Sequence, residues 1–251
     1  MAEDDAGAET TLDDIDKSDI RTNIYEGGFK TWECSIDLAS LLLDRGPRKD
    51  IDELCRVDQV IELGAGTALP SLTLLQHALQ NSFAMTFTLA DYNASVLRLV
   101  TLPNVLLTWA RFSSNPSIDP SGSGDLEITP SLLESAISDL AAAGITLNFL
   151  SGPWSPQLAS FIPQSAPDMG TLVLAAETIY SPASTTQFVQ LLVELLKRVK
   201  MAKAIVAAKR MYFGVGGSVN ALKIACGEKG AVAYEVENHG VPGMDQGSEG
   251  R

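Results

Sequence analysis

The sequence contains few residues that bind metal. Its 251 residues include three cysteines, Cys34, Cys55 and Cys226, and two histidines, and no two cysteines form a C-x-x-C pair. A structural zinc site needs about four nitrogen or sulfur ligands at short spacings. We therefore expect no metal site, and we interpret the cysteines as buried free thiols.

Long apolar runs and a basic N-terminus are also missing. No run approaches the roughly 20 apolar residues of a membrane-spanning helix, and the acidic N-terminus lacks the basic start of a secretory signal. The sequence therefore predicts a soluble intracellular protein with no membrane partner. A chain of this length with 45% apolar residues can form one α/β domain.

Positive charge is scarce, since 18 Lys and Arg stand against 31 Asp and Glu, for a net charge of −13. Residues 1–19 carry a large share of the acidic residues, and a segment of this composition buries little apolar area. We expect residues 1–24 to be a disordered tail and residues 25–251 to form the domain. The negative surface argues against direct nucleic-acid binding and fits a basic protein partner or simple solvation.

The most informative stretch is residues 60–70, where an apolar strand pattern is followed by Gly64 and Gly66 and then by a helical pattern. Glycines let backbone N–H groups approach a polar ligand closely. A dinucleotide-binding turn would have a small residue where Leu69 stands. An acidic residue two positions before the first glycine, here Glu62, is instead typical of S-adenosylmethionine (SAM) binding. The stretch favours SAM over NAD, and an ordinary strand-turn-helix remains an alternative.

Apolar runs alternate with helical patterns, which predicts a parallel sheet with helices on both faces. The predicted strands are 59–62, 85–90, 146–150, 171–175 and 203–208, and the predicted helices are 32–43, 70–80, 94–102, 131–143 and 184–200. In the first helix, Trp32, Ile36, Ala39 and Leu43 are predicted to form the buried side. Pro103 is expected to end the third helix, and residues about 113–128 to form a flexible surface insertion.

Residues suited to ligand binding follow the last four predicted strands. Asp91 lies about 25 residues past the glycine turn, where a carboxylate can accept two hydrogen bonds from a ribose diol. Trp154 could stack on an adenine or cap the core. Glu177 and Tyr180 follow the fourth strand, at the edge where parallel sheets bind ligands. The glycine-rich, aromatic and basic loop 209–218 could close over a substrate.

Together these stretches resemble the seven-strand SAM-dependent protein methyltransferases, and within them the protein-histidine N-methyltransferases that act on the large-subunit ribosomal protein uL3. The matching pieces are Glu26-Gly27-Gly28-Phe29-Lys30, Trp32-Glu33-Cys34, Glu62-Leu63-Gly64-Ala65-Gly66, Asp91-Tyr92-Asn93, Thr101-Leu102-Pro103-Asn104-Val105, Ser151-Gly152-Pro153-Trp154, Glu177-Thr178-Ile179-Tyr180 and Tyr212-Phe213-Gly214-Val215-Gly216-Gly217. The resemblance implies a Rossmann-like class I methyltransferase sheet of seven strands with helices on both faces, and SAM as the cofactor.

The resemblance also assigns cofactor contacts. The positions concerned are Thr31, Trp32, Glu33, Cys34, Ser35, Gly64, Gly66, Asp91, Tyr92, Asn93, Gly152, Pro153, Trp154, Ala176 and Glu177. By this analogy Asp91 holds the ribose and Trp154 borders the adenine. Trp32 and Glu33 line the methionine side.

Two features depart from the family pattern. The seven-strand fold ends in an antiparallel hairpin, and residues 231–237 predict its first strand, but no apolar run follows for the second. We expect the last strand to be missing or the sheet to end differently, and an open edge would favour aggregation. The family's longer N-terminal region is also reduced here to about two dozen residues.

The expected reaction is methyl transfer to a histidine ring nitrogen of uL3, through the tele nitrogen that the family implies. An imidazole with a pKa near 6.5 is largely neutral at pH 7, so it needs orientation more than a strong base. We expect Glu177 or Tyr180 to orient the ring as a catalytic residue. Alternatively, Glu177 contacts the cofactor's amino group or caps the next helix.

Three other functions are alternatives to histidine methylation. A protein-lysine methyltransferase of the same broader group shares the tryptophan-bearing entry, the glycine turn and the acidic-x-x-tyrosine pattern, although loop 212–217 favours histidine. A SAM-binding ribosome-assembly factor without turnover is an alternative of another class, and an NAD oxidoreductase fits the turn least well. We expect a monomer in the cytoplasm and nucleus, with uL3 as its partner.

Overall fold

A parallel β-sheet forms the centre of the computed structural model, which describes residues 28–45, 56–113, 124–214 and 216–236. Its strands are β1 (Val57–Leu63), β2 (Met85–Asp91), β3 (Ile145–Ser151), β4 (Gly170–Ala176) and β5 (Ala202–Ala207), in the order β3-β2-β1-β4-β5. The strand order reverses between β1 and β4, and ligands bind at the carboxyl ends of strands beside such a reversal. All five predicted strands of the sheet are confirmed.

Helices precede and connect the strands. In the described residues they are α1 (Glu33–Arg45), α2 (Leu69–Asn81), α3 (Ala94–Val96), α4 (Leu102–Ala110), α5 (Pro130–Ala142), α6 (Pro156–Phe161), α7 (Pro182–Arg198) and α8 (Val219–Glu228), with a π-helical segment (Leu97–Thr101) joining α3 to α4. α5, α6 and α7 each begin at a Ser-Pro or Thr-Pro step. In each, the hydroxyl accepts a hydrogen bond from a backbone N–H of the first turn, and proline fills the first helical position.

The sheet separates two apolar clusters. Helices α1, α2, α4 and α5 cover one face, where Trp109 is fully buried, and α6, α7 and α8 cover the other, around Phe188. Along β1, Val60 belongs to the first cluster and Ile61 to the second. Because strands covered on both faces bury successive side chains, they appear in the sequence as nearly continuous apolar runs.

The prediction that Pro103 ends the third helix is wrong, because the helical backbone continues through it to Ala110. Proline has no N–H to donate, and the π-helical segment directly before it changes the hydrogen-bond register at this point. Two helices, α6 and α8, were not predicted. The Ser155-Pro156 step is the signal that could have located α6.

The predicted buried side of the first helix is partly wrong. Ala39 is buried as expected, but Leu43 is 63% exposed, and the buried positions include Cys34, Leu38 and Leu42. The helix packs against α2 and against β4 and β5. The side of the helix that faces these neighbours is displaced by about one residue from the predicted buried side.

The strand predicted for residues 231–237 is not formed in 231–236. Ala231 and Ala233 pack against the second cluster, whereas Val232 is 90% exposed. In the described residues β5 pairs only with β4, so the sheet has five strands there rather than seven. The predicted tail 1–24, residues 114–123 of the predicted insertion, Cys55 and the end of the predicted strand lie outside the described residues. No helix in the described part is long and apolar enough to cross a membrane.

Candidate active site

The carboxyl ends of the parallel strands gather the predicted site residues at one edge of the sheet. Leu63 at the end of β1 pairs with Ala90 of β2 and with Ala175 of β4. Asp91 pairs with Ser151 at the end of β3. The turns that follow β1, β2, β3 and β4 therefore lie side by side, and they carry Gly64, Asn93, Gly152 and Glu177.

The glycine turn adopts a backbone that requires glycine. Gly64 and Gly66 have φ of 73° and 51°, in the left-handed region that side chains disfavour. A Cβ on Gly64 would lie 2.9 Å from the methyl carbon of Thr178. The N–H groups of Gly64 and Ala65 both donate to the carbonyl oxygen of Ala90, which ties the turn to β2.

The segment that enters α1 lies against this turn. A Cβ on Gly66 would lie 3.4 Å from the carbonyl oxygen of Gly28, and the hydroxyls of Thr31 and Thr67 are 3.3 Å apart. Next to them, the ammonium of Lys30 lies 4.3 Å from the ring centroid of Trp32. The structure thus brings the predicted entry residues to the glycine turn, although they are far apart in the sequence.

Asp91 organises the backbone around it. Its two carboxylate oxygens accept hydrogen bonds from the N–H groups of Gly66 and Asn93, each at 3.0 Å. A carboxylate oxygen can accept more than one hydrogen bond, so this arrangement is compatible with a diol ligand. The side-chain nitrogen of Asn93 is buried and has no hydrogen-bond partner.

Glu62 faces the protein interior rather than the turn. Its side chain is 1% exposed and accepts a hydrogen bond from the N–H of Ser71 in the first turn of α2. Burial raises its pKa from 4.5 to about 7, against the lowering effect of the Ser71 hydrogen bonds. The acidic residue that distinguishes the glycine motif thus anchors the start of the next helix.

Both the backbone and the carboxylate of Glu177 are constrained at this edge of the sheet. It is a non-glycine residue with φ of 58°, a conformation that clusters at functional sites because the surrounding structure must enforce it. The hydroxyl of Tyr212 donates to its Oε2 at 2.5 Å. Its Oε1 is buried and accepts no hydrogen bond from the described residues.

Two further side chains lie beside this carboxylate. Burial, and then the adjacent Glu177 carboxylate, raise the pKa of the Cys34 thiol far above its usual range. The same causes, in the same order, raise the pKa of the Tyr212 phenol. Cys34 and Tyr212 therefore remain protonated at neutral pH. Lys209 pairs with Glu33 at 3.0 Å, and the hydrogen bond to Glu33 raises the pKa of its ammonium.

The remaining predicted site residues make other contacts or are exposed. Trp154 packs edge-on against Phe188 at 5.4 Å between ring centroids, so it borders both the core and the glycine turn. The N–H of Gly152 donates to the carbonyl oxygen of Asp91, and the N–H of Ser35 to that of Trp32. Pro153 and Tyr92 are exposed, and Ala176 ends β4.

Sequence reasoning named Tyr180 beside Glu177 and missed Tyr212. The carbonyl of Tyr180 accepts the N–H of Gly217, whereas the phenol on Glu177 belongs to Tyr212. The signal was present, because Tyr212 lies in the glycine-rich loop that follows β5. Nothing in the local sequence shows which of the two tyrosines reaches the carboxylate.

Three buried polar atoms near the turn lack partners in the described residues: Nδ2 of Asn93, Oγ1 of Thr178 and Oε1 of Glu177. Buried polar groups are normally hydrogen-bonded, so these atoms are available to a polar ligand. The amide donor and the hydroxyl fit SAM, which carries hydroxyls and ring nitrogens, and the carboxylate oxygen fits the N–H of an acceptor group. No group of three or more metal-ligating side chains occurs among the described residues.

The chain is similar to proteins named histidine protein methyltransferase 1. The Schizosaccharomyces pombe protein is 40% identical over 204 residues, which cover 80% of this chain and 57% of the relative. The Saccharomyces cerevisiae protein is 36% identical over 241 residues, or 87% of this chain and 63% of the relative. Over most of its own length, the chain is therefore similar to histidine protein methyltransferase 1. A Dictyostelium discoideum homolog is 29% identical over 82% of the chain.

The chain spans about three fifths of the length of these two yeast relatives. No protein-family model matches it. The region of similarity includes most of the described residues.

Proposed function

We propose that the chain is a SAM-dependent methyltransferase that modifies a histidine ring nitrogen of a protein substrate. The observation that carries the proposal is the Glu177 carboxylate, which follows β4 and has one buried oxygen without a hydrogen-bond partner in the described residues. Its neighbour Thr178 contacts the glycine turn at the reversal of the strand order. The similarity to histidine protein methyltransferase 1 supplies the reaction type.

The cofactor would lie across the ends of β1, β2 and β4. Asp91 would accept hydrogen bonds from the ribose, and Asn93 Nδ2 would donate to the ligand. Trp154 would border the adenine, while the entry residues Thr31 to Ser35 would line the methionine side. This division of roles rests on the family resemblance and on the unpartnered atoms in the turn.

SAM, when bound, would supply a methyl group carried on a positively charged sulfur. The lone pair of an imidazole nitrogen would form the new bond to the methyl carbon as the carbon–sulfur bond breaks in line and leaves S-adenosylhomocysteine, and the other ring nitrogen would then release its proton. The chain's part is to hold the ring in the correct tautomer and direction. Glu177 Oε1 would accept the N–H of the non-attacking nitrogen and stabilise the positive ring as it forms. A carboxylate suits this role because it need not become a strong base.

Finer features of the proposal rest on the resemblance. The substrate would be uL3, methylated at the tele nitrogen, and the enzyme would act as a monomer in the cytoplasm and nucleus. A seven-strand sheet would need two further strands beside β5, whose outer edge carries no strand in the described residues. The acidic chain would attract a basic ribosomal protein.

Calorimetry with SAM, followed by transfer of labelled methyl to purified uL3, tests the function. We expect binding, and mass spectrometry should locate the methyl group on a histidine. Asp91→Asn should weaken SAM binding about 10-fold to 100-fold, because a hydrogen bond to a charged group contributes about 1.5–3 kcal/mol. Asp125→Asn, at an exposed position, is the matched control and should bind normally.

Each other outcome has a definite meaning. Methyl on a lysine would identify a lysine methyltransferase, and SAM binding without transfer would identify a non-catalytic SAM-binding protein. Failure to bind SAM would overturn the proposal entirely.

A further inference from the structure

The described residues of the loop that follows β5 are joined by backbone hydrogen bonds. The N–H of Tyr212 donates to the carbonyl of Gly217 at 2.9 Å, and the N–H of Gly216 donates back to the carbonyl of Tyr212 at 3.1 Å. Met211 and Ser218 form an antiparallel bridge at the base of the loop. These bonds fix the backbone that carries Tyr212.

This loop is docked on the segment that carries Glu177. The N–H of Gly217 donates to the carbonyl of Tyr180 at 3.1 Å, and a Cβ on Gly217 would lie 2.6 Å from that same oxygen. Only glycine allows this approach. At the loop's start, Lys209 pairs with Glu33, which ties the loop to the beginning of α1.

The phenol oxygen of Tyr212 lies between the loop and the carboxylate. It accepts the N–H of Lys209 at 3.3 Å and donates to Glu177 Oε2 at 2.5 Å. A glutamate side chain has three rotatable bonds, so its carboxylate direction is not determined by its backbone alone. Holding Oε2 leaves Oε1 as the buried oxygen that has no hydrogen-bond partner in the described residues.

We propose that Tyr212 is a positioning residue, which orients the Glu177 carboxylate so that its free oxygen receives the N–H of the acceptor imidazole. The inference rests on the proposed methyltransferase function. It assigns loop 209–218 a role in the chemical step in addition to any contact with the substrate. The residues that orient the methyl-accepting imidazole then come from the segment after β4 and from the loop after β5. They are separate from the glycine turn.

Tyr212→Phe tests this directly, because it removes the hydroxyl and keeps the ring. We expect kcat for transfer to uL3 to fall about 10-fold to 100-fold, as expected for loss of a hydrogen bond to a charged group. The KM for uL3, the Kd for SAM measured by calorimetry, and the unfolding temperature should stay close to those of the unmodified chain. Tyr234→Phe, at an exposed tyrosine, is the matched control and should leave kcat unchanged.

A double-mutant cycle with Glu177→Gln separates positioning from a general structural effect. If Tyr212 acts through Glu177, adding Tyr212→Phe to Glu177→Gln should change kcat less than about twofold. Equal losses in both backgrounds, or an unchanged kcat in Tyr212→Phe, would overturn the inference. A fall in SAM affinity in both single variants, with kcat unchanged at saturation, would place Glu177 on the cofactor and overturn it too. Absence of transfer by the unmodified chain overturns the proposed function, and this inference with it.

Discussion

Glu62 shows how a single buried carboxyl serves the glycine turn. It accepts the N–H of Ser71 and so occupies the positive end of α2, where an acceptor is favourable. Burial outweighs this effect, because its pKa rises from 4.5 to about 7. The folded protein therefore binds a proton at Glu62 over a pH range in which the unfolded chain has already lost it.

The raised pKa makes stability depend on pH. Below about pH 4.5 the Glu62 contribution is fully present, and it is lost as pH rises through about 7, by at most about 3 kcal/mol. Glu62→Gln cannot ionise, so urea unfolding at several pH values between 5 and 8 should show a smaller decline than in the unmodified chain. Glu127→Gln, at an exposed position, should keep the original decline. Identical declines in all three proteins would contradict the prediction.

The helical stretch after β2 holds the glycine turn through two side-chain hydrogen bonds. Thr101, at the end of the π-helical segment, donates its hydroxyl to the carbonyl of Gly66 at 2.7 Å. Asn104 of α4 donates its amide to the carbonyl of Thr67 at 3.1 Å. The π-helical turn shifts the positions that follow it along the helix, which is a feature often found at functional sites.

Removing the Thr101 hydroxyl should loosen the turn. Thr101→Val keeps the shape and leaves the Gly66 carbonyl without this donor, so we expect a loss of about 1–2 kcal/mol in the free energy of unfolding and weaker SAM binding. Thr108→Val is the control, because that hydroxyl bonds only to the carbonyl of Asn104 in its own helix. Chemical denaturation and calorimetry measure both effects. Equal losses in the two variants would mean that the turn contact has no special role.

At the scale of the whole molecule, one sheet joins two apolar clusters. Trp109 lies in the cluster on one face and Phe188 in the cluster on the other, and both are fully buried. Strand β1 contributes side chains to both clusters. Neither cluster retains its packing surface if the sheet between them separates.

We therefore expect the two faces to unfold together. Trp109→Ala and Phe188→Ala should each lower stability by about 3–5 kcal/mol, and each should shift one common transition followed by circular dichroism and fluorescence. Ile137→Ala, at an exposed position, should have little effect. Two separate transitions, one for each variant, would show that the faces are independent.

The parallel α/β fold, and the position of most candidate site residues at one edge of the sheet, follow from the sequence alone. The predicted strands 59–62 and 171–175 were recognisable because buried strands have two apolar faces. The structure extends each of them by only one or two residues at either end. Gly64, Asp91 and Glu177 were located because ligands bind where parallel strands end, so a position along the chain already implies a position at the sheet's edge.

The hydrogen bonds that connect these residues depend on the tertiary structure. The bond from Tyr212 to Glu177 spans 35 residues, and the inward direction of Glu62 depends on the first turn of α2. Residues 231–236 have an alternating pattern but form no strand, because a strand also requires a partner edge in the right register. Local patterns report which side chains avoid water, whereas hydrogen bonds between distant segments depend on where the packed elements place them.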